Sequence, residues 1–197
     1  MFSQLPETRP SILIRVCESS DEEAWTTFVA VYRPAIYRIA RGMRLQDADA
    51  NDVSQSVLSK LAQRSWKFEP SSEGVKFRSW LATVTRNAVV DHLRAQPSLG
   101  DLQPDSQSIE DHHPVGEAFE LEYRRQVFHW AAKIIQDEFS VGTWRAFWLT
   151  SVEHRSVEEV ARELDRSIGS IYTSRSRVMR RLRAQVLRFD DKLGGEL

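Results

Sequence analysis

The chain has 197 residues, with 27 Lys and Arg against 28 Asp and Glu for a net charge of −1, and 41% hydrophobic residues including six tryptophans. That is enough apolar material for one large or two small packed domains. Its single cysteine, Cys17, excludes an intramolecular disulfide and a cysteine-based metal site, and no apolar run reaches the roughly 18 residues of a membrane span.

The opening MFSQLPETRP lacks the basic and apolar regions of a signal peptide, so a soluble cytoplasmic protein is expected. Near-neutral net charge would ordinarily argue against nucleic acid, but the charges are segregated. Pro97 to Tyr123 holds seven acidic residues and no Lys or Arg, whereas Asp165 to Arg188 holds seven arginines and one aspartate.

Ile12 to Val16 is compatible with a short helix or a strand, and so short a run does not decide between them. At Ser20 the sequence SDEEAW has the form of a capping box, with Glu23 placed to reach back. Trp25, Phe28, Val29, Tyr32, Ile36 and Ile39 then recur at helical spacing, and Pro34 is expected to break the run into two segments.

A further helix is read in DADANDVSQSVLSKLAQRSW, with Val53, Val57 and Leu61 as its buried line. Asp52, Gln55, Ser56, Ser59 and Gln63 take the other side, with Asp49 at its edge. Acidic residues in a first turn also complement the helix dipole, so the pattern has a purely structural reading as well. Lys67 to Lys76 has the Pro, Ser and Gly content of a loop.

In FRSWLATVTRNAVVDHLRAQ, from Phe77 to Gln96, the apolar stripe is read as Phe77, Leu81, Val84, Ala88 and His92 with Trp80 beside it. The opposite side carries Thr83, Arg86, Asn87, Val90 and Arg94. Arg, Asn and Thr on one face can contact phosphates and base edges together; the alternative is an ordinary amphipathic helix with a solvated face.

Pro97 to Glu117 reads as a flexible acidic linker. His112 and His113 lie inside it, where neighbouring histidines converge poorly on one ion, so no metal site is expected.

From Ala118 to Asp137 a helix is drawn along Phe119, Tyr123, Val127, Trp130, Ala131 and Ile134, followed by a second from Val141 to Val152. Ser156 starts another capping pattern, and Val160, Ala161, Leu164, Ile168 and Ile171 give the packing positions of a helix-turn-helix. Ser167 is the expected cap of its second helix.

On that helix Ser170, Tyr172, Thr173, Ser176 and Arg177 fall in the early turns that reach base edges, while Arg180, Arg181 and Arg183 fall where the DNA backbone is nearer. Arg175 belongs to the same arginine series. The bland alternative is a merely solvated or phosphate-binding face.

Three stretches together resemble bacterial sigma factors of the two-domain extracytoplasmic-function type. Phe77, Arg78, Trp80, Leu81, Arg86, Asn87, Asp91, Leu93 and Arg94 fill the pattern of the promoter-melting helix. Asp49-Ala50-Asn51-Asp52-Val53-Ser54-Gln55 is similar to the D-A-x-D-x-x-Q motif, with Asn51 where the family usually has Glu. Ser167-Ile168-Gly169-Ser170-Ile171 is similar to the S-V-G-T-V of region four.

Two departures stand out there. Asp165 and Arg166 replace the usual turn Gly and apolar residue, and Tyr172-Thr173-Ser174 replaces the common Lys-Ser-Arg. The promoter preference of relatives therefore does not transfer to this chain.

The resemblance implies an all-α fold. A region-two-like domain over 20–96 and a helix-turn-helix domain over 118–190 would be joined by the linker at 97–117. It implies that Asp49, Asp52, Gln55 and Ser56 face the clamp helices of the largest polymerase subunit, where carboxylates can pair with arginine forks.

It also implies that Thr83, Arg86, Asn87 and Arg94 act in melting, and that the loop before that helix covers a flipped base, with Phe68 and Phe77 as candidate walls. Ser170, Tyr172, Thr173, Ser176, Arg177, Arg180 and Arg181 would meet the upstream promoter element. The implied partners are core RNA polymerase, including its flap region, and promoter DNA, and the resemblance admits an anti-sigma protein.

The linker would thread toward the polymerase active centre. No cofactor is implied. A polymerase-independent helix-turn-helix regulator is the alternative, but it leaves the Asp49, Asp52, Gln55 face without a task. An enzyme finds no support in a nucleophile-base pair, phosphate loop or metal set.

Overall fold

The computed structural model describes residues 22–63, 77–95 and 112–194, the side chains of 112–114 and 189–194 excepted. The capping box at Ser20, the segment Ile12 to Val16, the loop with Phe68 and most of the expected linker lie outside these residues. Among the described residues the fold is all-α, with no strand.

The helices are α1 (Glu22–Gly42), α2 (Asp47–Ala62), α3 (Phe77–Ala95), α4 (His112–Ile135), α5 (Val141–Ser151), α6 (Val157–Glu163) and α7 (Ile168–Gly194), with a 3-10 turn at Gln136–Glu138. They divide into two compact units, one ending at Val127 and taking up the chain again from Asp190, the other Phe128–Phe189.

In the first unit α1 runs unbroken through Pro34, against the expectation of two segments. Val31, Tyr32, Ala35 and Ile36, on both sides of the proline, are completely buried. The turns before and after it are thus held on one core, while Ala30, whose carbonyl loses its helical donor, is exposed. Core packing offsets the roughly 3 kcal/mol that an interior proline costs.

An aromatic cluster organises this core. Tyr32 stacks on Phe28 with centroids 4.3 Å apart, meets Phe77 of α3 edge-on at 5.7 Å and lies 5.2 Å from Tyr123 of α4. Val53, Val57 and Leu61 of α2 are buried as their spacing requires.

The buried face of α3 is rotated from the expected stripe. Phe77 and Leu81 are buried, but Arg78, Ala82, Thr85 and Val89 complete the face, whereas Trp80, Val84, Ala88 and His92 lie at its margin, half-buried. Two polar residues in the core line misdirected a reading by hydrophobicity, and each is satisfied. Thr85 Oγ1 donates to the Leu81 carbonyl at 2.8 Å, and Arg78 Nε donates to Glu120 at 2.6 Å with its guanidinium 4.6 Å over the Tyr123 ring.

Glu120 shows that α4 is not simply the first helix of a second domain. It starts at His112, inside the stretch read as linker, and places His112 and His113 in its first turn. Its first half packs within the first unit: Phe119, Tyr123 and Val127 are buried there, and buried Glu122 pairs with Arg38 of α1 at 3.0 Å. The boundary between units therefore falls inside a helix, at Val127 rather than at Ala118.

In the second half of α4, Ala131 and Ile135 are buried while Trp130 is half-buried and Ile134 is 45% exposed, so the apolar line ends one residue later than the spacing indicated.

In the second unit Ala146 and Leu149 of α5, Val160 and Ala161 of α6 and Ile171 of α7 form one hydrophobic core, with Val157 and Leu164 packed against it. Ile168, read as a packing position, is 47% exposed because it is the first residue of α7, before the helix reaches the core.

Candidate functional site

Three faces carry the residues singled out from the sequence. On α2, Asp52, Gln55 and Ser56 are exposed and Asp49 is half-buried. The three carboxylates at the start of the helix differ in their partners. The Tyr37 hydroxyl of α1 donates to Asp47, and this bond pushes the Tyr37 pKa above its ordinary value. Asp49 Oδ1 lies 3.1 Å from His92 Nε2 of α3. Asp52 has no partner among the described residues, so its carboxylate is available to an incoming cation.

On α3, Asn87 and Arg94 are exposed while Thr83 and Arg86 are half-buried. The Thr83 hydroxyl donates back to the Ser79 carbonyl at 3.1 Å, which uses its one O–H and leaves its oxygen only the capacity to accept. Beneath this face Arg78 anchors the helix. Burial works against its charge, Tyr123, Tyr32 and Glu120 favour it, and the guanidinium pKa ends above its ordinary value. Among the described residues, Glu120 lies 2.6 Å from Arg78 Nε and the Tyr123 ring lies 4.6 Å from the guanidinium, an anion and a π-face that both favour the charge.

In the second unit the local signals read from the sequence are realised. Ser156 Oγ accepts from the Glu159 amide at 3.2 Å and Ser167 Oγ from the Ser170 amide at 3.2 Å. Asp165, in place of the usual turn glycine, adopts a left-handed φ of 49° and delivers the chain to α7 with the Arg166 amide on the Ala161 carbonyl at 2.9 Å.

Glu163 ties the motif together, accepting from Arg155 at 2.6 Å and Arg145 at 2.7 Å. The Arg155 hydrogen bond is the main reason its carboxyl is held below the ordinary value.

Along α7, Tyr172, Thr173, Ser176, Arg177 and Arg180 are exposed and Ser170 is half-buried. Thr173 Oγ1 donates to the Gly169 carbonyl at 2.9 Å. An open concavity is lined by Tyr172, Arg175, Ser176, Met179, Arg180 and Arg183. Arg175 and Met179 were absent from the expected base-reading set, yet their i, i+3, i+4, i+7 spacing from Tyr172 could have placed them there. Arg177 does not line this concavity.

Arg181, expected as a backbone anchor, is committed elsewhere. Its Nε and Nη2 donate to the two carboxylate oxygens of Glu138 at 2.6 Å each, and its Nη1 to Gln185 at 3.0 Å. A guanidinium occupied by a bidentate carboxylate is not free for a phosphate.

Residues 28–98 match the family model for Sigma-70 region 2. The match takes in α1 from Phe28, α2 and α3, and so contains both the Asp52 and the Asn87 faces. Over this segment, which is less than half of the chain, the sequence is similar to the region of sigma-70 factors that the model describes. No curated protein matches the chain. Among the described residues no helix is long and apolar enough to cross a membrane.

Proposed function

We propose that the chain is a sigma factor of the two-domain extracytoplasmic-function type, acting in the cytoplasm without covalent chemistry of its own. It binds core RNA polymerase, recognises the minus-ten and minus-thirty-five promoter elements with separate regions and opens the duplex. The observation that carries this reading is that the segment matching Sigma-70 region 2 presents two chemically distinct faces on adjacent helices. One is the carboxylate and amide face of Asp52, Gln55 and Ser56; the other is the Thr83, Arg86, Asn87 and Arg94 face.

In this reading Asp52 accepts an arginine fork of the polymerase clamp while Gln55 and Ser56 add neutral hydrogen bonds. Asn87 and Arg86 engage unpaired bases and phosphates of the opened strand, and burial of Arg78 fixes the helix that carries them. Tyr172, Thr173, Ser176 and Arg177 approach base edges upstream, and Arg180 meets the backbone.

Run-off transcription with core polymerase tests the reading. The chain should confer specific initiation on core enzyme by itself. A polymerase-independent regulator would change initiation only when another sigma factor is present, and that outcome would overturn the assignment.

A further inference from the structure

The fold gives the carboxylates at the start of α2 different partners. Asp47 is held by Tyr37 of α1, Asp49 by His92 of α3, and Asp52 alone faces solvent without a partner among the described residues. His92 sits in the last turn of α3, where the apolar period reads it as core, yet its Nε2 lies 3.1 Å from Asp49 Oδ1. The two side chains are 26% and 28% exposed.

A carboxylate is only an acceptor, so Nε2 carries the proton that it donates to Asp49. Because Nε2–H is present in the neutral tautomer as well as in the imidazolium, the tie holds in either charge state of His92.

We propose that His92 is a positioning residue: by holding Asp49 it fixes the first turn of α2 against the last turn of α3. The docking face of Asp52, Gln55 and Ser56 is thereby kept in register with the Arg86 and Asn87 face. The inference rests on the function proposed above, and it changes the task of Asp49 from a direct polymerase contact to a tie between helices. Asp52 is left as the carboxylate that meets the partner. Removing the tie leaves both helices formed, because their cores are built by Val53, Val57, Leu81 and Val89, but frees the α2 turn to move.

The experiment measures the affinity of the full chain for core polymerase, with thermal midpoints recorded for every variant. His92→Phe keeps a flat ring of similar size without the donor and should weaken binding about 3- to 10-fold, the scale of one partly exposed hydrogen bond to a charged group. His92→Gln, which restores an N–H donor, should remain within about 2-fold of wild type. In an Asp49→Ala background His92→Phe should bring no further loss, whereas Asp52→Ala should still weaken binding in that background.

Nitrogen NMR of the imidazole reads the tie without polymerase: the His92 Nε2 signal should be that of a protonated, hydrogen-bonded nitrogen and should shift in Asp49→Ala. Unchanged affinity in His92→Phe, equal losses with Phe and Gln, or the same loss with and without Asp49 would overturn the positioning role. An Nε2 signal indifferent to Asp49→Ala would overturn the tie itself. Failure of the wild-type chain to bind core polymerase would instead overturn the proposed function, and the positioning role with it.

Discussion

Deleting Glu120 should destabilise the first unit more than deleting the arginine it serves. Arg78 is 7% exposed, so in Glu120→Ala its charge stays in the core and loses the Glu120 carboxylate. Loss of one partner of a buried ion pair typically costs about 3 to 5 kcal/mol. Two features lower that figure here: Glu120 is itself 28% exposed, so water can reach the pair, and the guanidinium keeps the Tyr123 ring face at 4.6 Å. A cost of about 2 kcal/mol follows.

Arg78→Met removes the charge together with its desolvation penalty, preserves most of the apolar stem and leaves Glu120 with Arg124 at 3.1 Å, so its cost should be about 1 kcal/mol or less. The double variant Arg78→Met/Glu120→Leu should return to within about 1 kcal/mol of wild type. Native-state hydrogen exchange at α3 amides is the assay, because it reports opening of this unit alone. If Arg78→Met proves more destabilising than Glu120→Ala, the desolvation argument is wrong and the pair is a net source of stability.

Asp52→Arg should weaken core-polymerase binding in a pull-down titration with thermal midpoint nearly unchanged, since the side chain is exposed and without a partner among the described residues. Arg180→Ala and Arg183→Ala should each make the salt slope of DNA binding shallower by roughly one unit. Arg181→Ala should leave that slope unchanged and cost about 1 kcal/mol of stability through the lost Glu138 pair, measured by urea denaturation.

Glu163 has a lowered folded-state pKa, so its contribution is complete above the ordinary carboxylate range and is lost as pH falls through the lowered value. The difference in thermal midpoint between wild type and Glu163→Gln should therefore be largest near neutral pH and shrink below about pH 4. A difference independent of pH would refute the assignment of Glu163 to Arg155 and Arg145.

The sequence by itself determined what depends on neighbours within one or two helical turns. The caps at Ser156 and Ser167, the buried line of Val53, Val57 and Leu61 and the exposure of Asp52 and Asn87 were legible in spacing and residue type. The motifs that resemble sigma factors fall on those same local patterns, and the Sigma-70 region 2 match covers two of them.

Tertiary structure decided the rest, because it depended on partners distant along the chain. Glu120 lies 42 residues from Arg78 and Glu138 lies 43 residues from Arg181. No periodicity announces that an arginine in an apolar stripe will be buried against a carboxylate, or that one in a basic series will pair with Glu138. Pro34 stays helical, α3 turns Arg78 and Thr85 inward and α4 joins the first unit at its start for the same reason. In each case the free energy of burial and of paired charges across helices outweighs a local preference of a few kcal/mol.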